Sequence, residues 1–277
     1  MKKTTLLVIT LFLSAPLLWG QKKILIVGDS WAETIWRSRA LDQVLQENGF
    51  PAGLTEGGDG NGKEGDLTAI GGSRADQWAS NHREWQERIK KHIEGNPDIK
   101  TVHVVIGGND LLNIIAKQDI SGWTDERRHK EWETIQGNIR KLAEFCLGLR
   151  EDLRVLIADY DYLNIANAGK AYQYDFGGMT QQLVNQYFVE VGMKKMELAR
   201  DNDRIFYVQN WGTLNNHYAN SLAPEKYMGA ITEKEDLSAV VWRMPAAADV
   251  GDGIHPHPDA HKVLLHRAVE IFYKEEL

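Results

Sequence analysis

A serine that follows the first apolar run of the chain has the position of a catalytic nucleophile. Residues 23–30 read Lys-Ile-Leu-Ile-Val-Gly-Asp-Ser, so the run breaks at Gly28 and leaves Ser30 at the start of a predicted helix. An alcohol attacks an acyl carbon when a base takes its proton and hydrogen-bond donors stabilise the oxyanion. Ser30 also forms a Ser-x-x-Glu pattern with Glu33, which predicts a helix-capping box. The two roles are compatible.

Two further segments could supply donors to an oxyanion. Gly71 and Gly72 precede a predicted helix, where backbone N–H groups can point at an anion. Another glycine pair ends an apolar run just before Asn109, whose side-chain amide is a hydrogen-bond donor. Taken alone, each pair predicts no more than a turn.

A candidate base lies near the C-terminus. Asp252-Gly253-Ile254-His255 places a carboxylate three residues before a histidine, close enough to orient the imidazole ring. A nucleophile, oxyanion donors and an oriented base therefore occur in one chain. This combination indicates an acyl-transfer site.

Together these four segments resemble the sequence blocks of the SGNH, or GDSL, hydrolases, from the first predicted strand to the last predicted helix. The resemblance implies that Ser30 is the nucleophile, His255 the general base and Asp252 the residue that orients it. It also implies an oxyanion hole formed by the N–H of Ser30, the N–H of Gly72 and the side chain of Asn109.

The chain matches the family's sequence blocks less directly at two positions, the backbone donor and the residue after Ser30. Gly71 is an alternative to Gly72 as the backbone donor. Trp31 stands where leucine is usual in the GDSL form. We expect its indole in the core or in the pocket wall.

Apolar runs of strand length alternate with helical patterns along the chain. The predicted strands are 24–27, 101–106, 153–158 and 204–208, and the predicted helices are 32–48, 76–94, 126–149, 179–201 and 259–274. This alternation predicts an α/β fold, a three-layer α/β/α sandwich with a central parallel sheet. The resemblance implies the flavodoxin-like fold of SGNH hydrolases. The length of residues 21–277 is typical of one α/β unit and predicts a single domain. Ligands of such sheets bind beyond the carboxyl ends of the strands.

Residues 1–20 have the pattern of a secretory signal peptide, with Lys2 and Lys3 before an apolar run that is too short for a membrane anchor. We expect an exported protein, periplasmic or secreted, without a stable membrane anchor. The formal net charge is −7, and the signal segment contains two lysines and no acid. An acidic chain argues against nucleic-acid binding and favours neutral or locally steered small substrates. With the candidate catalytic residues, we expect the partner to be a small-molecule or glycan ester.

A hydrolytic zinc site is an alternative for the acids and histidines near the C-terminus, Asp249, Asp252, His255, His257 and His261. We expect His257 and His261 to face solvent instead. A serine mechanism requires no metal and no organic cofactor.

Ser73 nearly matches a Gly-x-Ser-x-Gly elbow, but residues 65–69 before it are too polar for the strand that an elbow needs. Most of the nine tryptophans are expected in the core. Trp211 and Trp242 lie in an irregular stretch of the sequence and are candidates for a substrate rim. Cys146, the single cysteine, is predicted to be a buried thiol.

The most direct functional prediction is hydrolysis of a carboxylic ester through an acyl-enzyme on Ser30, with acetylated glycans as the favoured substrates. Lipid acylhydrolase or thioesterase activity on the same site is the first alternative, because a fold does not determine a substrate. A glycan-binding module with a weak active site is an alternative of another class.

Overall fold

The computed structural model describes residues 21–58, 64–118, 120, 122–218 and 251–277. Its sheet has five parallel strands in the order β2-β1-β3-β4-β5. The strands are β1 Ile24–Gly28, β2 Thr55–Glu56, β3 Thr101–Val105, β4 Arg154–Ala158 and β5 Ile205–Val208. The predicted signal peptide lies outside the described residues, as do Asp249 and Trp242.

The central strands are largely apolar in sequence because both faces of the sheet are covered. Every residue of β1 and of β3 is buried, although successive side chains point to opposite faces. The layers that cover them are formed by α1 Ser30–Arg37, α2 Ala40–Glu47, α3 Arg83–Gly95, α4 Gly108–Ile115, α5 Asp125–Leu149, α6 Ile165–Tyr172, α7 Gln181–Asp201, α8 Thr213–Tyr218, α9 Pro258–Ala268 and α10 Lys274–Glu276. The predicted α/β/α sandwich with a parallel sheet is confirmed.

Short helical turns complete the architecture. A 3₁₀ turn spans Glu64–Asp66, and π-helical turns span Gln77–Asn81 and Val269–Tyr273. No helix in the described ranges is both long and apolar enough to cross a membrane. Cys146 is buried on α5, as predicted, and its burial raises the pKa of the thiol to about 12.

The single helix predicted over residues 32–48 is wrong, because the chain breaks between α1 and α2. Arg39 adopts a left-handed conformation with φ of +58°, although no glycine or proline marks this position. The turn lets Asp42 of α2 reach the short strand β2, where it accepts hydrogen bonds from the backbone N–H and the hydroxyl of Thr55, at 3.1 and 2.8 Å. A tertiary contact therefore sets this boundary.

Candidate active site

Gly28 brings the end of β1 against β3 and places the following residues at the carboxyl edge of the sheet. Its φ is +143°, and a Cβ atom there would lie 1.9 Å from the carbonyl oxygen of Val105. The N–H of Asp29 donates to that same oxygen at 3.0 Å. Only glycine allows this close approach, after which Ser30 begins α1.

The cap of α1 is Asp29, so the predicted capping box at Ser30 and Glu33 is wrong. The Asp29 carboxylate accepts a hydrogen bond from the N–H of Trp31 at 3.0 Å. Glu33 instead accepts from the N–H of Gly71 at 2.7 Å, which ties α1 to the loop after β2. Because Asp29 caps the helix, the Ser30 hydroxyl is left to bond elsewhere.

Ser30, His255 and Asp252 form a continuous hydrogen-bonded series across the two ends of the chain. The Ser30 hydroxyl oxygen lies 2.7 Å from Nε2 of His255, and Nδ1 of His255 lies 2.7 Å from Oδ2 of Asp252. A ring that donates from Nδ1 to the carboxylate has Nε2 free to accept the serine proton. The arrangement can therefore activate the hydroxyl as a nucleophile.

The Asp252 carboxylate is held ionised by its hydrogen bonds. Partial burial raises its pKa, but donors from the backbone and side chain of His255, the Tyr172 hydroxyl and the N–H of Ile254 outweigh that effect and lower the pKa to about 2. Tyr172 is a member of this site that sequence reasoning missed. Its position, 80 residues before Asp252, follows no motif.

Trp31 ties the nucleophile helix to the loop that carries the base. Its indole N–H donates to the carbonyl oxygen of Ile254 at 3.0 Å, and its side chain is buried. The ring packs edge-on against Tyr160 and His261, with centroids 5.0 and 5.1 Å away. Of the two positions expected for Trp31, the structure shows the core.

The expectation that His261 faces solvent is wrong, whereas His257 is exposed. His261 lies on the buried face of α9, and its ring packs edge-on against Trp31. Burial and the nearby charge of His255 lower the pKa of His261 to about 3, so its imidazole is neutral at physiological pH.

The two glycines of the second segment differ in their hydrogen bonding. Gly71 donates its N–H to Glu33, whereas Gly72 is exposed, has a φ of +75°, and makes no backbone hydrogen bond with any part of the chain described. The loop is fixed beside the nucleophile because the N–H of Ile70 donates to the carbonyl oxygen of Gly28 at 2.8 Å. Of the two, Gly72 has the N–H that is available to a ligand.

Asn109 lies in the first turn of α4, at the carboxyl end of β3. Its side-chain Nδ2 donates to the carbonyl oxygen of Ser73 at 3.0 Å, which joins the α4 segment to the Gly72 loop. An amide nitrogen carries two hydrogens, so one donor of Asn109 remains for a ligand.

Ser73, the alternative nucleophile, is engaged in the core. Its side chain is buried, its hydroxyl donates to the carbonyl oxygen of Gly28 at 3.1 Å, and it accepts from Nε1 of Trp78 at 2.9 Å. These two bonds give Ser73 a structural role.

A buried polar network connects Asp29, the residue before the nucleophile, to neighbouring strands of the sheet. The Tyr160 hydroxyl donates to Asp29 at 2.5 Å and accepts from the N–H of Gly108 at 3.0 Å, so it links the ends of β1, β3 and β4. The ammonium group of Lys195 lies over the Tyr160 ring and pairs with Asp159 at 2.7 Å. Desolvation raises the pKa of Asp29 to about 6, although the hydrogen bonds from Tyr160 and the backbone act to lower it.

Within the described ranges, no three His, Cys, Asp or Glu side chains lie close enough together to form a metal site.

The rim position expected for Trp211 is wrong, since its indole is buried and donates to Asp159 at 2.7 Å. That carboxylate also receives the Tyr207 hydroxyl, so the indole N–H satisfies a core acceptor.

Known structures share this fold. A carbohydrate esterase of family 3 from Talaromyces cellulolyticus matches with a TM-score of 0.54 and 12% identity over 92% of this chain and 99% of its own. A Clostridium thermocellum family 3 carbohydrate esterase matches at 0.50 and 16%, over 92% and 96%. An extracellular lipase of Streptomyces rimosus matches at 0.51 and 13%, over 90% and 98%. A search of the curated proteins found no match.

The sequence profile described as GDSL-like Lipase/Acylhydrolase matches residues 24–268. This span runs from β1 through α9 and contains Ser30, Asn109 and His255. The chain therefore belongs to the GDSL-like lipase/acylhydrolase family of ester-bond hydrolases.

Proposed function

We propose that the protein hydrolyses a carboxylic ester through an acyl-enzyme on Ser30. The observation that carries this proposal is the series Ser30 to His255 to Asp252, with both contacts at 2.7 Å. Such a series moves a proton from the hydroxyl to the imidazole as the oxygen attacks the acyl carbon.

The reaction then follows from the position of each donor. His255 takes the Ser30 proton, the new C–O bond forms, and the carbonyl oxygen becomes an oxyanion that accepts from the N–H of Ser30, the N–H of Gly72 and Nδ2 of Asn109. The tetrahedral intermediate collapses as His255 returns the proton to the leaving alcohol. Water attacks the acyl-enzyme in the same way, giving a carboxylic acid and free Ser30. Asp252 stabilises the imidazolium in both halves.

As substrate we propose an acetyl ester on a glycan. The side chains of His255 and Asp252 are 28% and 32% exposed, so among the described residues the base is accessible to an ester carried on a large alcohol. Two of the structures with the same fold are described as carbohydrate esterases. We further propose that residues 1–20 direct export and that residues 21–277 form one domain, which would bring the enzyme to extracellular polysaccharide.

The mechanism is tested with a fluorophosphonate that labels activated serines. The wild type is expected to gain the adduct mass on the peptide that contains Ser30, and Ser30→Ala and His255→Ala are expected to lose both labelling and turnover of nitrophenyl acetate. Ser73→Ala, which removes the other candidate serine, serves as the matched control and retains labelling. Undiminished turnover in Ser30→Ala would refute the mechanism.

The substrate is tested separately with acetylated xylan, a lysophospholipid and an acyl thioester. Release of acetate from the polysaccharide, at a higher kcat/KM than release of long acyl chains, is the expected result. Faster hydrolysis of the lysophospholipid or the thioester would replace the glycan proposal and leave the Ser30 mechanism in place.

A further inference from the structure

Helix α6 lies directly beneath the loop that carries the acid and the base. The N–H of Asn164, which caps α6, donates to the carbonyl oxygen of Gly253 at 2.8 Å. Gly253 has a φ of +89°, and a Cβ there would lie 2.2 Å from the backbone nitrogen of Ala168. The loop between Asp252 and His255 therefore rests on the first turn of α6.

The other end of α6 contacts the same loop through a side chain. Tyr172, the last residue of α6, donates its hydroxyl to Oδ2 of Asp252, and its oxygen lies 3.0 Å from Nδ1 of His255. Oδ2 thus receives Tyr172 and His255 together, while Oδ1 receives two backbone N–H groups. Each carboxylate oxygen has two donors, which fixes its orientation.

The Tyr172 ring is itself held in place, although 39% of its surface is exposed. Gln173 adopts a left-handed conformation with φ of +56°, a strained choice for a residue other than glycine. After this turn the ring of Tyr174 stacks on that of Tyr172, with centroids 5.5 Å apart and an interplanar angle of 27°. The hydroxyl is therefore presented to Asp252 by an ordered ring.

We propose that Tyr172 is a positioning residue for the acid–base pair, an inference that rests on the proposed function. Its hydroxyl holds Asp252 and His255 in line with Ser30 and withdraws charge from the carboxylate. Without that donor, the Asp252 carboxylate and the imidazole it holds would be freer to turn out of line with Ser30. This loss of alignment lowers the rate of acylation and leaves the binding of substrate unchanged.

The test compares Tyr172→Phe with Tyr174→Phe. The first keeps the stacked ring and removes the hydroxyl from Asp252, whereas the second removes a neighbouring hydroxyl for which no hydrogen bond is found among the described residues. For Tyr172→Phe, kcat on nitrophenyl acetate is expected to fall about 5-fold with little change in KM, because a charge-assisted hydrogen bond is lost at a partly exposed site.

The separation of kcat from KM gives a readout that a merely structural role would not move. In Tyr172→Phe, kcat should fall while KM stays near its wild-type value, and Tyr174→Phe should keep both wild-type constants. Both variants should remain folded, as measured by urea unfolding.

Labelling by the fluorophosphonate separates this inference from the proposal on which it rests. Slower labelling of Ser30 in Tyr172→Phe, with normal labelling in Tyr174→Phe, supports the positioning role. Equal labelling rates and equal kcat in wild type and Tyr172→Phe would overturn it while the Ser30 mechanism stands. A wild type that is not labelled at Ser30 would refute the mechanism itself.

Discussion

The substitution Asp29→Asn tests the buried carboxylate that caps the nucleophile helix. Asp29 is almost fully buried, and it accepts from the N–H of Trp31 and from the hydroxyl of Tyr160. Asparagine keeps the size of the side chain and an oxygen for the Trp31 N–H, but it cannot ionise. The variant therefore removes the cost of burying a charge and preserves much of the cap.

The sign and size of the effect follow from the pKa. Burial raises the pKa of Asp29 from 3.8 to about 6, so the folded state binds the proton more tightly than the unfolded state does. The carboxyl group then contributes most to stability below pH 3.8, and that contribution is lost as the pH rises through 6. The difference between the two values corresponds to ~3 kcal/mol of unfolding free energy.

Urea unfolding, followed by tryptophan fluorescence at several pH values between 4 and 7, measures this directly. The stability of Asp29→Asn relative to the wild type is expected to rise by ~2.4 kcal/mol across that interval, since the rest of the difference develops below pH 4 and above pH 7. Asp203→Asn, at an exposed position, is the control and should show no such trend. A difference between Asp29→Asn and wild type that stays constant with pH would refute the reasoning.

Three further substitutions probe the site. Gly28→Ala, whose Cβ would lie 1.9 Å from the Val105 carbonyl oxygen, should lower the unfolding free energy by about 3 kcal/mol or more, measured in urea. Trp31→Phe leaves the Ile254 carbonyl without its donor and should cost about 2 kcal/mol in the same assay, and an unchanged midpoint would contradict this. Asn109→Ala should lower kcat about 100-fold with an unchanged circular dichroism spectrum, and wild-type kcat would exclude it from the oxyanion hole.

The central strands were predictable because their burial appears directly in the sequence. β1 and β3 are covered on both faces, so β1 reads as an apolar run and β3 is apolar apart from Thr101 and His103. The strand β2, with two residues, is too short to form a pattern. The helices α4 and α6 were missed for a related reason, since each has only eight residues and its boundaries depend on tertiary contacts.

The residues of the candidate site were predictable where a short spacing carries the chemistry, as between Asp252 and His255. The errors arose where a local rule competes with a distant partner. Glu33 fits a capping box, but the N–H of Gly71 binds it in the folded chain. Trp211 lies in an irregular stretch of sequence, yet a buried carboxylate accepts its indole N–H. Tyr172 could not be found because its partner lies 80 residues away.

The bond between Ser30 and His255 spans 225 residues, and the indole bond of Trp31 to the same loop spans 223. A growing chain makes its nucleophile near the beginning and its base only after α8, so each shorter product carries Ser30 without His255. Because their pairing closes a long loop, we expect it late in folding. Hydrolysis would consequently report the completed fold, and a time course of esterase activity during refolding would record the final docking of α9 against the first helices.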